Sequence, residues 1–429
     1  MAHTATVNIE KLNKSIQVPT GLFINNEFVP SVDSQERIDA INPATEEVIC
    51  SVTAGSAKDI DVAVAAARAA FTNTWGKNVT GWERSRLLHK LADLMERDAQ
   101  VLGELESLNN GKPVRIARQV GVDFDIGDSI QCLRYYAGWA DKLAGQTLEV
   151  DNRTKLAFTR HDPIGVCGQI IPWNYPINMW AWKVAPALAV GCTIVMKPSE
   201  LTPLTALKLS ELVKEAGFPP GVVNTVPSLG SVGGAALASH MDVDKVAFTG
   251  STVTGRKIME AAAKSNLKKD CTAGSRVYAQ DTVYDKFLEL LVSKVKAQVI
   301  GNGLDEETGA GPVVSKGQYD RVWGYIESGK ADGAHLLLGG AKRNDKGYFI
   351  DPTNNNSMAD DANQCMRVSS ALEAGTVWVN QYNLLYNNVP FGGKKQSGIG
   401  RELGSYALEE YTSVKAVHWN FGEKLEWPL

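Results

Sequence analysis

Cys271 is the residue whose type and surroundings could do covalent chemistry in this 429-residue chain. A thiolate is a strong nucleophile. The small residues Thr272, Ala273 and Gly274 follow it and leave room for a substrate to approach. Alone, a cysteine is more often a small buried hydrophobe than a nucleophile. In "KSNLKKDCTAGSRVY" (264–278) a lysine-rich helix end is predicted to run into Cys271 with no intervening loop or strand. A second piece is Asn174 in "IIPWNYPINMWAWK" (170–183), predicted to sit in a tight turn between prolines amid aromatic and apolar residues. A buried amide must be hydrogen-bonded, and one aimed at a reacting carbonyl oxygen would stabilise a developing oxyanion. A structural turn asparagine is the plainer alternative.

Two further stretches could hold a dinucleotide. "KPSE" (197–200) places Lys197 and Glu200 at the end of a predicted strand. A carboxylate there can accept both hydroxyls of a ribose, which favours NAD over a cofactor with a 2'-phosphate; a surface salt-bridge pair would look the same. "FTGSTVTGR" (248–256) places Gly250 and Ser251 between a strand and a helix. Phosphate binds at such helix N-termini, and an ordinary serine cap would also satisfy the pattern.

These residues need a scaffold. Residues 20–53 read as short strands and turns, and 58–143 as helices with apolar positions at helical spacing. Strands follow at 145–160. From 193 onward the pattern alternates strand and helix: "TIVMKPSE", "PLTALKLSELVKEAGF" closed by a glycine, "GVVNTVPS", "GSVGGAALASHM", "KVAFTGST", and "STVTGRKIMEAAAKSN" capped by Ser251. Alternation of this length calls for a parallel sheet with helices on both faces. Helices are expected at 281–300 and 317–330, short strands at "HLLLGG" and "TVWVN", and a strand in "SVKAVHWNFG".

Composition excludes several classes. A net charge of −4 gives no basic field for nucleic acid or anionic lipid. The six cysteines lie far apart with no CxxC spacing, and with no secretory signal the expectation is reduced thiols in the cytosol. Residues 1–20 contain Glu10 and no arginine, which makes a poor transit peptide. The apolar run 163–196 contains one charged residue, Lys183, yet Pro163, Pro172, Pro176 and Pro186 should cut it into pieces too short to span a bilayer. A buried strand, a turn, a helix and a second buried strand fit better, in a soluble chain. No metal-ligand pattern is present.

With these motifs assembled, the chain closely resembles the aldehyde dehydrogenase superfamily, in particular its fungal NAD-dependent members. The likeness runs from "NPATEEVI" through "PWNYP", "KPSE", "GFPPGVVN", "FTGST" and "CTAGSR" to "PFGGKKQSGIGRELG" (390–404). It implies an α/β fold with a Rossmann-like cofactor domain (1–144 and 163–269), an α/β catalytic domain (270–412) and oligomerisation strands (145–162 and 413–429). It implies NAD as cofactor, a small aldehyde as substrate and a dimer or tetramer of like chains. Cys271 would attack the aldehyde, Asn174 would hold the oxyanion, and Lys183 and Glu402 correspond to residues proposed to relay protons. Lys197 and Glu200 would hold the adenosine ribose and Ser251 the pyrophosphate, with Ser199 in the same cofactor site. Ile171, Trp173, Gly230, Gly234, Phe248 and Gly250 would line the same cofactor site, and Gln318 and Arg321, in "GQYDR", match a cofactor-side pair.

The chain departs from the family pattern at two seams. After "SNLKK" the family has a strand and a Glu-Leu-Gly-Gly turn whose glutamate is its general base, then a helix leading to the cysteine. Between "IDPT" (350–353) and "DDANQCMRVSS" it has a Glu-Glu-Ile-Phe-Gly-Pro segment that positions the nicotinamide ribose. Neither motif occurs in this sequence. The breaks fall inside well-patterned sequence, as skipped exons or a mis-spliced gene model would leave them. The resemblance therefore implies an oxidoreductase whose turnover is impaired, with Glu402 or Asp270 as the nearest substitute bases. The alternative is a non-catalytic subunit, or a truncated splice or gene-model product, that pairs with full-length partners. Trp180 hints at an aromatic-lined tunnel, which packing would explain equally well.

Overall fold

The computed structural model describes residues 3–115, 125–151, 153–263, 268–270, 289, 292–331, 338–340, 346–350, 372, 374–378, 385–394 and 397–422. The chain opens with an antiparallel hairpin of β1 (Thr4–Ile9) and β2 (Lys14–Pro19). Period-two burial of Val7, Ile9, Ile16 and Val18 makes this pair, which was not among the elements expected from the sequence. Strands β3 (Leu22–Ile24), β4 (Glu27–Val29), β5 (Arg37–Ile41) and β6 (Val48–Thr53) follow, as the short-strand pattern predicts.

Among the described residues the helices α1 (Ala57–Asn73), α2 (Gly81–Arg97), α3 (Ala99–Asn110) and α4 (Asp125–Ala137) come next. Capping boxes set the first two starts. Ser56 exchanges hydrogen bonds with Asp59, and Thr80 with Glu83, so two otherwise unpaired N–H groups are satisfied at each end. Strands β7 (Thr147–Leu148) and β8 (Lys155–Pro163) then pair antiparallel with each other, in a sheet separate from the central one.

The central sheet begins at β9 (Val166–Ile170). The buried helix α5 (Pro176–Val190) leads to β10 (Thr193–Lys197), and α6 (Leu204–Ala216) leads to β11 (Val223–Thr225). A wide helical turn at 230–234 runs into α7 (Ala235–Ser239), followed by β12 (Lys245–Phe248), α8 (Thr252–Ala263) and β13 (Lys268–Asp270). Among the described residues the strand order is β13-β12-β9-β10-β11-β3-β4, parallel from β13 to β11. The chain moves outward from β9 through β10 and then returns to place β12 on β9's other side. That reversal opens a crevice at the carboxyl ends of β12, β9 and β10, where sheets of this type bind ligands.

Both faces of the sheet are covered. Val166, Val195 and Val246 pack with Ile60 and Val64 of α1, whereas Cys167, Ile194 and Ala247 face the core formed with α2, α4, α5 and α6. Strands buried on both sides read as continuous apolar runs, which is why β9 and β10 are so hydrophobic. Gly217 ends α6 at a φ of 93°, a left-handed position where a Cβ is costly. No described helix is long and apolar enough to cross a membrane.

Two expectations are corrected here. Cys271 is preceded by a strand: Lys268–Asp270 pair in parallel register with Lys245–Ala247, so the chain joins the sheet before reaching the cysteine. The backbone periodicity of three residues is too short to read in "KKD". Pro186 also fails to cut its segment, since α5 runs through it to Val190, while Pro176 starts that helix at a position where no N–H is needed.

Beyond the seam, α9 (Lys316–Ala331) matches the expected helix. The strand expected in "TVWVN" is described only over 376–378, which lie in no regular strand. Half of the expected helix at 281–300 lies outside the described residues, and of the rest 289 and 292–296 are helical; half of "HLLLGG" (335–337) also lies outside them, and 338–340 form no strand. The short helix α10 (Tyr406–Glu410) precedes β14 (Thr412–Asn420), which pairs with all of β8 from Thr412↔Pro163 to Asn420↔Lys155.

Candidate active site

Three turns at the crevice carry most of the candidate residues. Lys197 closes β10, is 2% exposed, and donates from Nζ to Glu200 Oε2 at 2.9 Å and to Pro198 O at 3.1 Å. Burial pushes the Glu200 carboxyl up, but the Lys197 charge and hydrogen bonds that include one from the Gly230 N–H outweigh it, holding the carboxyl below its ordinary range. A Cβ on Gly230 would lie 3.8 Å from Glu200 Oε1, and one on Gly234 would lie 3.7 Å from Lys197 Cδ. Side chains at either position would stand over the pair, so the glycines keep that space free. An anionic acceptor fixed beside a cation, under an open backbone, fits the hydroxyls of a ribose. Ser199, between them, is 8% exposed.

The turn after β12 contains Thr249, Gly250 and Ser251. Ser251 Oγ accepts the Thr254 N–H at 3.2 Å and lies 2.9 Å from Thr254 Oγ1, so it caps α8 as its sequence position predicts. A Cβ on Gly250 would fall 2.5 Å from Phe248 Cζ, so the Phe248 ring would have to move to admit any side chain there. Phe248 itself is buried.

The turn after β9 brings a correction. Asn174 is exposed rather than buried, because it sits at the rim of the sheet, before the first turn of α5. Its neighbours are held from below. Ile171, buried, donates its N–H to Lys197 O at 3.2 Å, and the carbonyl of half-buried Trp173 accepts from Asn110 Nδ2 at 2.5 Å. Lys112 Nζ stands 3.8 Å from the centre of the Tyr175 ring, a cation–π contact. Trp180 is wholly buried in the core of α5, which favours packing over a tunnel lining.

A fourth group lies behind these turns. Lys183, 1% exposed on α5, donates to Thr249 Oγ1 at 2.7 Å and pairs directly with Glu402 Oε1. Glu402 is set by an antiparallel bridge to Phe391, with N–H to carbonyl bonds of 2.8 and 2.7 Å in the two directions. The other carboxylate oxygen, Glu402 Oε2, is buried and has no hydrogen-bond partner among the described residues. A lysine, a threonine hydroxyl and a half-engaged carboxylate in line can pass a proton.

Thus the structure brings Lys183 and Glu402 together, and separately Lys197, Glu200, Gly230 and Gly234. Cys271 lies outside the described residues, as does the Asp270 side chain. Gln318 and Arg321 lie on α9, half-buried and exposed, and neither is hydrogen-bonded to these groups among the described residues. Sequence reasoning missed Thr249, although it sits inside the quoted "FTGST". It also missed Asp128, which accepts from Asn178 Nδ2 and Trp182 Nε1, each at 2.9 Å, and from Asn387 Nδ2 at 3.2 Å. Burial nevertheless keeps the Asp128 carboxyl above its usual range. Among the described residues no cluster could hold a metal, and Cys50, Cys132, Cys167 and Cys192 are unpaired thiols.

The aldehyde dehydrogenase family model matches residues 28–270, 265–357 and 355–417. An aldehyde dehydrogenase of Emericella nidulans is 45% identical over 486 aligned residues, covering 95% of this chain and 96% of the relative. A human protein named "Aldehyde dehydrogenase, mitochondrial" is 44% identical over 477, covering 92% and 91%. An NAD+ complex of aldehyde dehydrogenase from Bacillus cereus superposes with a TM-score of 0.88 at 39% identity, covering 97% of this chain and 100% of that one. These alignments are longer than the 429-residue chain, and the family match breaks near residues 270 and 356.

Proposed function

The chain belongs to the aldehyde dehydrogenase family, and on that premise we propose that it is built to oxidise a small aldehyde to its carboxylic acid with NAD. The observation that carries the cofactor reading is the Lys197–Glu200 pair beneath Gly230 and Gly234, at the carboxyl edge of the sheet. Lys197 and Glu200 would hold the adenosine ribose, and the first turn of α8 would face the pyrophosphate. When bound there, NAD+ supplies the hydride acceptor. Gln318 and Arg321 enter this reading by motif alone.

Cys271 Sγ, as the thiolate, bonds to the aldehyde carbon while the carbonyl electrons move onto oxygen. Asn174 is exposed, and in this reading its amide N–H would donate to that oxygen. Loss of hydride from the same carbon leaves a thioester on Cys271. Water opens the thioester, giving the acid and returning the thiol. A base must take the proton from that water. Glu402 or Asp270 would be that base; among the described residues Glu402 Oε2 is a buried carboxylate oxygen without a hydrogen-bond partner, linked through Oε1 to Lys183 and Thr249.

The two seams limit this activity. Alignments longer than this chain, and a family match that breaks near residues 270 and 356, support a reading in which the glutamate turn and the nicotinamide segment are what this chain lacks. Hydrolysis without a dedicated base should be slower by roughly 10²–10⁴-fold. The same observation favours a second reading, a non-catalytic subunit that retains the cofactor fold (1–144 and 163–269) beside a curtailed catalytic part (270–412). It would pair through the strands 145–162 and 413–429 with full-length sisters. A dimer or tetramer of like chains belongs to the first reading. Unpaired thiols support a cytosolic location, with mitochondria the competing outcome of fractionation.

NADH formation by the purified chain with excess NAD+ and a simple aldehyde separates the readings. Sustained turnover supports the enzyme. A burst that stalls near one equivalent means acylation without hydrolysis. No NADH, with co-purification of a full-length partner, supports the subunit.

A further inference from the structure

The last turn of α3 carries Glu106, Asn109 and Asn110, all buried although polar. Each reaches one of the site-bearing turns. Glu106 Oε1 accepts the Ile177 N–H at 3.1 Å, in the first turn of α5 just past Asn174. Its other oxygen, Oε2, accepts from Thr205 Oγ1 at 2.6 Å, in the first turn of α6 just past Glu200. Asn110 holds the Trp173 carbonyl at 2.5 Å, and Asn109 Nδ2 holds the Leu201 carbonyl at 3.0 Å. Two buried amides and a buried carboxylate therefore grip both turns from a single helix end.

We propose that Glu106 is a positioning residue whose two carboxylate oxygens fix the Asn174 turn and the Lys197–Glu200 turn relative to one another. The consequence for binding rests on the cofactor reading above; the grip itself does not. The two turns sit on different loops, after β9 and β10, and each begins a helix whose first N–H groups need acceptors. One carboxylate that accepts the Ile177 N–H of α5 and the Thr205 hydroxyl of α6 couples the place where an aldehyde oxygen would lie to the place where the ribose would lie. Asn109 holds the Leu201 carbonyl and accepts the Leu204 N–H at 3.5 Å, and Asn110 holds the Trp173 carbonyl, but each of these amides reaches one turn alone.

Two-sided acceptance is strongest for the ionised carboxylate, which has no proton to place. The charged groups facing it are Lys112, from the turn after α3, which favours the anion, and Asp125, opening α4, which opposes it. The partners from α5 and α6 are the Ile177 N–H and the Thr205 hydroxyl. Burial dominates and pushes this carboxyl up to about 7. The grip therefore weakens as pH falls through neutrality.

The test compares the 429-residue chain with Glu106→Gln, which keeps size and shape but cannot accept with both atoms. NAD+ titration at pH 8 should show roughly tenfold weaker binding for the variant. At pH 6 the two should converge. Backbone hydrogen exchange should rise in 171–177 and 198–205 together, while β9–β12 keep wild-type protection. Wild-type NAD+ affinity in the variant at both pH values, or exchange that rises in one turn alone or across the whole sheet, overturns the proposal. If the wild-type chain binds no NAD+, the cofactor reading fails, and the exchange pattern alone decides the grip.

Discussion

The ammonium of Lys183 pairs with the carboxylate of Glu402, 219 residues away in the chain, and their side chains are only 1% and 13% exposed. The contact fastens the middle of α5 to the segment that ends the family-like motif 390–404. Charges so placed are costly to leave alone. Lys183→Met should therefore destabilise the chain by about 3–5 kcal/mol in urea unfolding, and the double variant Lys183→Met/Glu402→Gln should recover much of it. A single variant with the wild-type midpoint would mean the pair is not buried in solution.

Glu402→Gln addresses the chemistry of the same carboxylate. If Oε2 is the base that replaces the absent glutamate, steady-state NADH production should fall roughly 10²–10⁴-fold while a first-turnover burst survives. An unchanged steady rate would remove Glu402 from the hydrolytic step.

Cys271→Ser should abolish both burst and steady NADH formation, since an alcohol without an adjacent base is a poor nucleophile at neutral pH. Stopped-flow absorbance resolves the two phases. A residual burst would put the nucleophile elsewhere.

Gly230→Val places methyl groups over Glu200 without touching a packed core, because Gly230 is exposed. NAD+ affinity measured by calorimetry should drop at least about tenfold, with a thermal midpoint within a few degrees of wild type. Equal affinity would mean the cofactor does not sit above the Lys197–Glu200 pair.

The buried Glu106 also sets a pH dependence of stability. Its carboxyl is raised from 4.5 to about 7 in the fold, so the folded chain holds that proton more tightly than the unfolded one. The associated stabilisation is fully present below pH 4.5 and is lost as pH rises toward 7, by roughly 3 kcal/mol in total. In Glu106→Gln this component should vanish, so its unfolding free energy should decline less between pH 5 and 7 than that of the parent. Parallel curves would refute the assignment.

The sheet, its helices and the position of each site-bearing turn were readable because they rest on local signals. Apolar runs bounded by glycine, proline and serine mark β9, β10, α5 and α6 without knowledge of anything distant. Asn174 was misjudged because exposure at a sheet rim depends on what covers it, and aromatic neighbours in sequence do not supply a cover. Thr249 and Glu106 escaped notice for the opposite reason. Their roles are set by Lys183, Ile177 and Thr205, 66, 71 and 99 residues away, and no spacing rule reports such meetings. The three residues of β13 were too few to carry a period.

The ladder between β8 and β14 joins Lys155–Pro163 to the last described strand of the chain, Thr412–Asn420. During synthesis β8 emerges early, with its apolar face and backbone groups unpaired, and its partner appears some 250 residues later. Cys192 Sγ and the Ile164 N–H both donate to Tyr411 O as well, so the cofactor half gains its final contacts only when the tail arrives. At ribosomal rates of about 5–20 residues per second, that leaves a waiting period on the order of 10 to 50 seconds. Through that interval β8 is a free sheet edge, and the nascent chain is at its most exposed to other strands.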